Sequence, residues 1–148
     1  MITNNTNLIA MELKQKFLHS GLLFLRVALG ISIFLHGIPK MMGGVETWSY
    51  LGSSMSYFGI TFAPAFWGFL AAFAETVGGV LLALGLFFRP AAILLAGNMT
   101  VALATHLFAG DNFMVYGHAL DLLIVYFSLI FIGAGEYSLD KKFFPKIA

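Results

Sequence analysis

Long apolar stretches dominate the pattern of hydrophobic and polar positions along the chain. Four of them approach or exceed the length of about 20 residues that a helix needs to cross a bilayer. None alternates strictly between apolar and polar positions as a barrel strand does, so each is predicted to be a helix. The pattern therefore predicts an all-α, polytopic membrane protein, a bundle of four transmembrane helices over Ser20–Gly37, Ala65–Phe88, Pro90–Phe108 and Gly117–Ala134.

The segment between the first two spans predicts one more, shorter helix. Between residues 43 and 63, Trp48, Leu51, Met55 and Phe58 follow one another at intervals of three or four. This spacing is typical of an amphipathic helix that lies at the membrane interface, with its aromatic side chains at headgroup level. An irregular loop is the alternative.

Composition supports a single membrane domain over residues 1–148. Hydrophobic residues make up 59% of the chain and charged residues only 10%, against about 25% charged in soluble domains. There is no cysteine, which excludes a disulfide scaffold, thiol chemistry and iron–sulfur or zinc-thiolate sites held by this chain alone. A net charge of +1 without a basic run argues against a nucleic-acid partner; membrane lipid is the partner that this composition implies.

Lysine and arginine placement predicts the orientation of the bundle. All but one of these residues near the span ends fall on the side that, by the positive-inside rule, faces the cytoplasm. Residues 1–19 are then a cytoplasmic N-terminal segment, with 1–10 expected to be disordered, and residues 135–148 are a cytoplasmic tail. Lys40 is the exception, and the residues on the cytoplasmic side are Lys14, Lys16, Arg89, Lys141, Lys142 and Lys146.

Several polar side chains interrupt the predicted spans, where an ionisable group costs roughly 2.5–3.5 kcal/mol on insertion scales. At about 1.5 Å per residue, Arg26 falls in the inner half of the first span, and Glu75 lies near the midplane, level with Asn98. A further set falls in the outer third of the membrane: His36, His106, His118 and Asp121.

Helical spacing predicts which way these groups point. Gly68, Ala72, Glu75 and Gly79 lie on one stripe of small residues, where helix backbones approach closely. The other spans also offer one polar or small face each; on the fourth this face carries His118, Asp121 and Ser128. Turned inward, these faces would form a polar pocket that opens to the outside and is floored by Glu75 and Asn98.

Structural explanations for the same residues stay open. Arg26 and Glu75 could form an ion pair that only stabilises the bundle, since their predicted depths lie within the reach of an arginine. His106 and His118 could simply be solvated at the interface.

Metal and haem sites are weaker alternatives. A metal could take His36, Glu75, His106 and His118 as ligands, but no pair with the spacing His-x-x-x-His lies on one helix, and no metal is assigned. His36 and His106 lie at matching depth, so haem stays open.

The chain resembles the DoxX family of small bacterial membrane proteins. The likeness covers nearly all of the chain from Leu22 onward. It rests on Arg26-Val-Ala-Leu-Gly30, His36-Gly37-Ile-Pro-Lys40, Glu75-Thr-Val-Gly-Gly79, Arg89-Pro90 and Gly133-Ala-Gly135-Glu-Tyr-Ser138-Leu-Asp140. The resemblance implies a four-helix bundle in a bacterial inner membrane. It also implies a redox context, because DoxD-type relatives are similar to the membrane subunit of thiosulfate:quinone oxidoreductases. The family's characteristic positions are occupied by Arg26, Gly37, Lys40, Glu75, Gly79, Gly85 and Arg89.

Two functions are consistent with this reading. In the first, the protein is a quinone-linked oxidoreductase subunit: Arg26 and His36 donate to the quinone, Glu75 accepts protons, and Asn98, His106, His118 and Asp121 line the pocket, with Asp121 orienting His118. Its electrons would come from a bound cofactor or a soluble or membrane redox partner. In the second, the chain is a non-catalytic assembly partner, or a small-molecule binder or transporter that acts as a homo-oligomer.

Overall fold

The computed structural model describes residues 2–145 and is built of helices. Four of them are long and apolar enough to cross a membrane, and a short helix and a 3-10 helix lie between the first and second of these. The predicted all-α bundle of four transmembrane helices is confirmed, and the protein is a multi-pass membrane protein. The elements are α1 (Ile2–Met42), α2 (Gly44–Gly52), a 3-10 helix (Ser53–Phe58), α3 (Pro64–Leu84), α4 (Phe88–Ala109), α5 (Phe113–Ile132) and α6 (Leu139–Phe143).

The first helix is much longer than its apolar stretch. It runs for 41 residues without a break and passes through Pro39. The expected disorder of residues 1–10 is therefore wrong from Ile2 onward, and Lys146 lies outside the described residues. Residues 11–16 are strong helix formers, which explains why the helix continues beyond the apolar run. An interior proline is tolerated in a membrane helix when its neighbours compensate for the lost hydrogen bond.

The two ends of the bundle differ in their connections. At one end, here called the turn end, residues 85–87 join α3 to α4 and the chain folds back after α5. The Asp140 carboxylate there accepts hydrogen bonds from the backbone N–H groups of Phe87 and Phe88, both at 2.8 Å, and so caps the start of α4. The other end, here called the loop end, carries α2, the 3-10 helix and the α4–α5 connection.

Glycines set the close approach of α1 and α3. A Cβ on Gly79 would lie 2.7 Å from the carbonyl oxygen of Gly30, and one on Gly37 would lie 2.6 Å from the backbone nitrogen of Thr76. These distances are shorter than real Cβ contacts, so only glycine fits. Small residues at helix crossings allow this packing in membranes. The contact also fixes the register, with Gly37 level with Thr76.

The short helix α2 packs directly on α3. A Cβ at Gly52 would collide with the backbone of Pro64, and one at Gly68 would collide with the backbone of Trp48. The Trp48 indole Nε1–H also donates to the Lys40 carbonyl oxygen at 3.0 Å. The helix predicted in this loop is therefore present as α2, with the 3-10 helix following it, and a glycine on each side, Gly52 on α2 and Gly68 on α3, allows the close contact.

The core confirms the inward direction of the predicted small-residue stripe on α3. Gly68, Ala72, Glu75 and Gly79 are all buried. Below them, toward the turn end, lies a cluster of large buried side chains. Its fully buried members include Leu82, Phe88, Leu95, Tyr126 and Leu129.

Candidate functional site

A polar cavity of about 170 Å³ lies inside the bundle toward the loop end. All four long helices contribute to its wall. We call it the polar cavity, and its polar lining consists of His36 and Lys40 from α1, Glu75 from α3, His106 from α4 and His118 from α5.

Glu75 is the buried centre of this arrangement. It lies halfway along α3 with 2% of its surface exposed. The Lys40 ammonium contacts both carboxylate oxygens, at 2.7 Å to Oε1 and 2.6 Å to Oε2. The Asn98 amide donates to Oε1 at 3.0 Å. A buried carboxylate needs such compensation, and here one opposite charge and one neutral donor supply it.

The three histidines lie closer to the loop end. The rings of His36 and His118 are tilted against each other with centroids 5.7 Å apart. His106 contacts Asp111 instead, with 2.8 Å between Nδ1 and Oδ2, and the side chains of both are more than a third exposed. The polar lining of the cavity thus runs from the buried Glu75 carboxylate to three imidazoles nearer the loop end.

The predicted Arg26–Glu75 pair is wrong. Arg26 lies 11 residues before Gly37, which places it about 16 Å farther along α1 toward the turn end. There it donates from Nη2 to the carbonyl oxygen of Tyr137, and a side chain at Gly85 would collide with its Nη1. Arg26 is 2% exposed and does not line the polar cavity.

The predicted inward face of the fourth span is also wrong in part. Asp121 and Ser128 are exposed on the surface of the bundle, while Ala119, Tyr126 and Leu129 point inward. His118 is exposed as well but reaches the polar cavity. Asp121 makes no polar contact with His118 or with any other described side chain, so it does not orient that imidazole in this structure.

The metal and haem alternatives gain no support from the geometry. Among residues 2–145, no three His, Asp or Glu side chains come together as ligands for one metal ion. His36 has its ring contact with His118, whereas His106 has its contact with Asp111.

Two charged partners in this region do not follow from the sequence: Lys40, which contacts Glu75, and Asp111, which contacts His106. The placement of charges identifies Lys40 as the one basic residue on the opposite side, and that placement gives no sign that it pairs with Glu75. One signal was available, because His36 and Lys40 are four residues apart and share a face of one helix. Because the predicted first span ends at Gly37, Lys40 falls outside it and this shared face is not apparent.

The comparisons with known proteins agree with this fold. The sequence model of the DoxX family matches residues 21–108. An uncharacterized protein of Haemophilus influenzae is 32% identical over 138 residues, which cover 89% of this chain and 97% of that protein. The Bacillus subtilis protein named "Putative oxidoreductase CatD" is 34% identical over 85 residues, 57% of this chain and 58% of its own length. No solved structure matches the chain. With a family match over more than half of its length and a relative aligned almost end to end, the chain belongs to the DoxX family.

Proposed function

We propose that this protein is the membrane subunit of a quinone-linked oxidoreductase and that Glu75 exchanges protons with the quinone. The observation that carries the proposal is the buried Glu75 carboxylate, which lies between Lys40 and Asn98 at the wall of a cavity lined by three histidines. A buried ionisable group in a membrane span is costly and marks proton or substrate pathways.

The chemistry of a quinone fits such a site. Reduction of a quinone to its quinol takes up two electrons and two protons, and the reverse reaction releases them. Glu75 and the histidines supply the proton route of this proposal. In this proposal the electrons come from a bound cofactor or from a soluble or membrane partner that carries one. The name of the Bacillus subtilis relative, an oxidoreductase, supports the same reaction class.

Replacing Glu75 with glutamine tests the proposal. The amide keeps the shape of the carboxylate but cannot accept a proton, so we expect quinone reduction to fall at least a hundredfold, the scale of general acid–base catalysis. The measurement is quinone reduction by membranes of producing cells, with soluble extract as the electron source and membranes without the protein as the blank.

A matched variant separates this effect from a general loss of acid groups. Glu46 is exposed on α2, and Glu46→Gln should leave the rate unchanged. Full activity in a well-folded Glu75→Gln protein would refute the proton-exchange role.

We further propose that the turn end faces the cytoplasm of a bacterial cell and that the loop end faces outward across the inner membrane. Apart from Lys40, the described basic residues near the span ends lie toward the turn end. Because the chain lacks cysteine, a single introduced thiol reports its side of the membrane. A membrane-impermeant maleimide should label Glu46→Cys in intact cells but Lys142→Cys only after lysis; the reverse pattern would invert the orientation.

A second candidate function is assembly with another membrane polypeptide, and Asp121 favours it. This carboxylate is exposed on the surface of α5, within a span, and a charged group facing lipid needs a polar partner. Under this alternative, Glu75→Gln alters folding yield or complex formation while turnover by the assembled complex persists. Native mass spectrometry of the gently purified protein would then show a second chain and no bound quinone.

A further inference from the structure

A second cavity lies on the flank of the bundle, between α3 and α4 and next to the 3-10 helix. Its volume is about 330 Å³ and its lining is almost wholly apolar. Leu51 and Met55 cover it from the loop end, and Leu70 and Leu94 line it from α3 and α4. Gly97 also lines it and is exposed, so the cavity opens to the side of the bundle. We call it the lateral pocket.

The size of the two cavities decides which of them suits a ring compound. Sites for small molecules and cofactors have volumes of roughly 300–1,000 Å³, and the lateral pocket falls in that range. The polar cavity, at about 170 Å³, is close to an engineered cavity of about 150 Å³ that holds one benzene molecule. A ring with substituents and a tail is therefore too large for the polar cavity. Two further cavities, of about 600 and 430 Å³, lie toward the turn end and carry charged lining residues such as Lys14 and Glu12, whereas the lateral pocket carries none.

Two hydrogen-bond donors belong to this apolar pocket. Asn98 lines it and spends one of its two amide N–H groups on Glu75. Trp67 lines it as well, and its buried indole Nε1–H has no hydrogen-bond partner among residues 2–145. An unpaired buried donor costs free energy. Neither donor carries a charge.

We propose that the lateral pocket binds the ring of a lipid-soluble quinone, whose carbonyl oxygens accept hydrogen bonds from Asn98 and Trp67. This inference rests on the proposed function and specifies where the ring lies. An uncharged ring with carbonyl acceptors fits uncharged donors in an apolar wall, and the tail leaves past Gly97. Asn98 also donates to Glu75, so it places the ring one side chain away from that carboxylate. In this proposal a water molecule carries the proton between Glu75 and the quinone oxygen.

Two variants of the full-length protein test the location. A Cβ at Gly97 meets no atom within 4 Å, so Gly97→Leu fills the pocket without disturbing the backbone and should weaken binding at least tenfold. Trp67→Phe keeps the aromatic ring and removes the donor, which should weaken binding about fivefold, the scale of one hydrogen bond. Gly21→Leu is the matched control, since a Cβ at Gly21 also meets no atom within 4 Å.

Binding is measured by native mass spectrometry in detergent, with a 1,4-benzoquinone that carries a ten-carbon tail as the probe. Loss in Gly97→Leu and Trp67→Phe, with full binding in Gly21→Leu, is the expected result. Undiminished binding in both pocket variants would overturn the location while leaving the proposed function intact. Binding at the pocket without turnover would overturn the proposed function, while the location of the binding site would stand. If the wild-type protein retains only phospholipid, both the proposed function and the location of the ring are overturned.

Discussion

Replacement of Lys40 with methionine should destabilise the protein by about 3 kcal/mol. The substitution keeps a long apolar stem but leaves the buried Glu75 carboxylate with Asn98 as its remaining partner. Breaking a buried ion pair by removing one partner costs about 3–5 kcal/mol. The value expected here lies at the lower end because the Lys40 side chain is 35% exposed. Equilibrium unfolding by SDS in mixed micelles measures it.

A second substitution and an exposed pair serve as controls. The double variant with Lys40→Met and Glu75→Leu removes both charges and should regain most of the lost stability. Lys141 and Glu136 form an ion pair at 3.1 Å whose side chains are both largely exposed, so Lys141→Met should cost less than about 1 kcal/mol. Equal losses of stability in Lys40→Met and Lys141→Met would mean that the burial of Glu75 does not determine how much its ion pair with Lys40 contributes.

Truncation of Arg26 to alanine should cost about 3–5 kcal/mol, as for other large side chains removed from a packed interior. Arg26 is among the largest fully buried side chains in the described part of the chain, and it joins α1 to the C-terminal segment through the Tyr137 carbonyl. Its Nε and Nη1 groups have no hydrogen-bond partner among the described residues, so the guanidinium charge itself is poorly compensated.

Arg26→Met separates the stem from the charge. Methionine fills much of the same space, and we expect a loss of only about 1–2 kcal/mol, chiefly from the unpaired Tyr137 carbonyl. The same unfolding titration compares the two variants. Because Arg26 lies outside the polar cavity, Arg26→Met should keep quinone turnover. A folded Arg26→Met protein without turnover would show that Arg26 takes part in the quinone reaction.

Hydropathy was sufficient to predict the four spans because a bilayer requires about 20 apolar residues for each helix. The extension of α1 was not predictable in the same way. Residues 11–16 include four polar side chains, too many for an apolar run, and the helix continues there through backbone propensity. The small-residue stripe around Glu75 was predicted correctly since close helix packing selects glycine and alanine at regular spacing.

The site was less predictable because its partners depend on the register between helices. The sequence places Glu75 and Asn98 at one depth, and they do form a hydrogen bond. It does not determine how far α1 slides along α3. The contacts of Gly30 and Gly37 set that position, and they bring Lys40 to Glu75 in place of Arg26. The rotation of α5 about its axis likewise places Asp121 on the surface. The sequence pattern of this helix does not determine which of its faces turns toward the bundle.

The link between Arg26 and Tyr137 has a consequence for the synthesis of the protein. The two residues are separated by 111 positions, so the ribosome must translate three further spans before the arginine meets its acceptor. Until then the guanidinium has to extend toward the lipid headgroups, as long basic side chains near helix ends do. Arg26 in the first long helix thus gains its acceptor only after residue 137 has emerged, and chains that stop before it would leave the guanidinium without that acceptor.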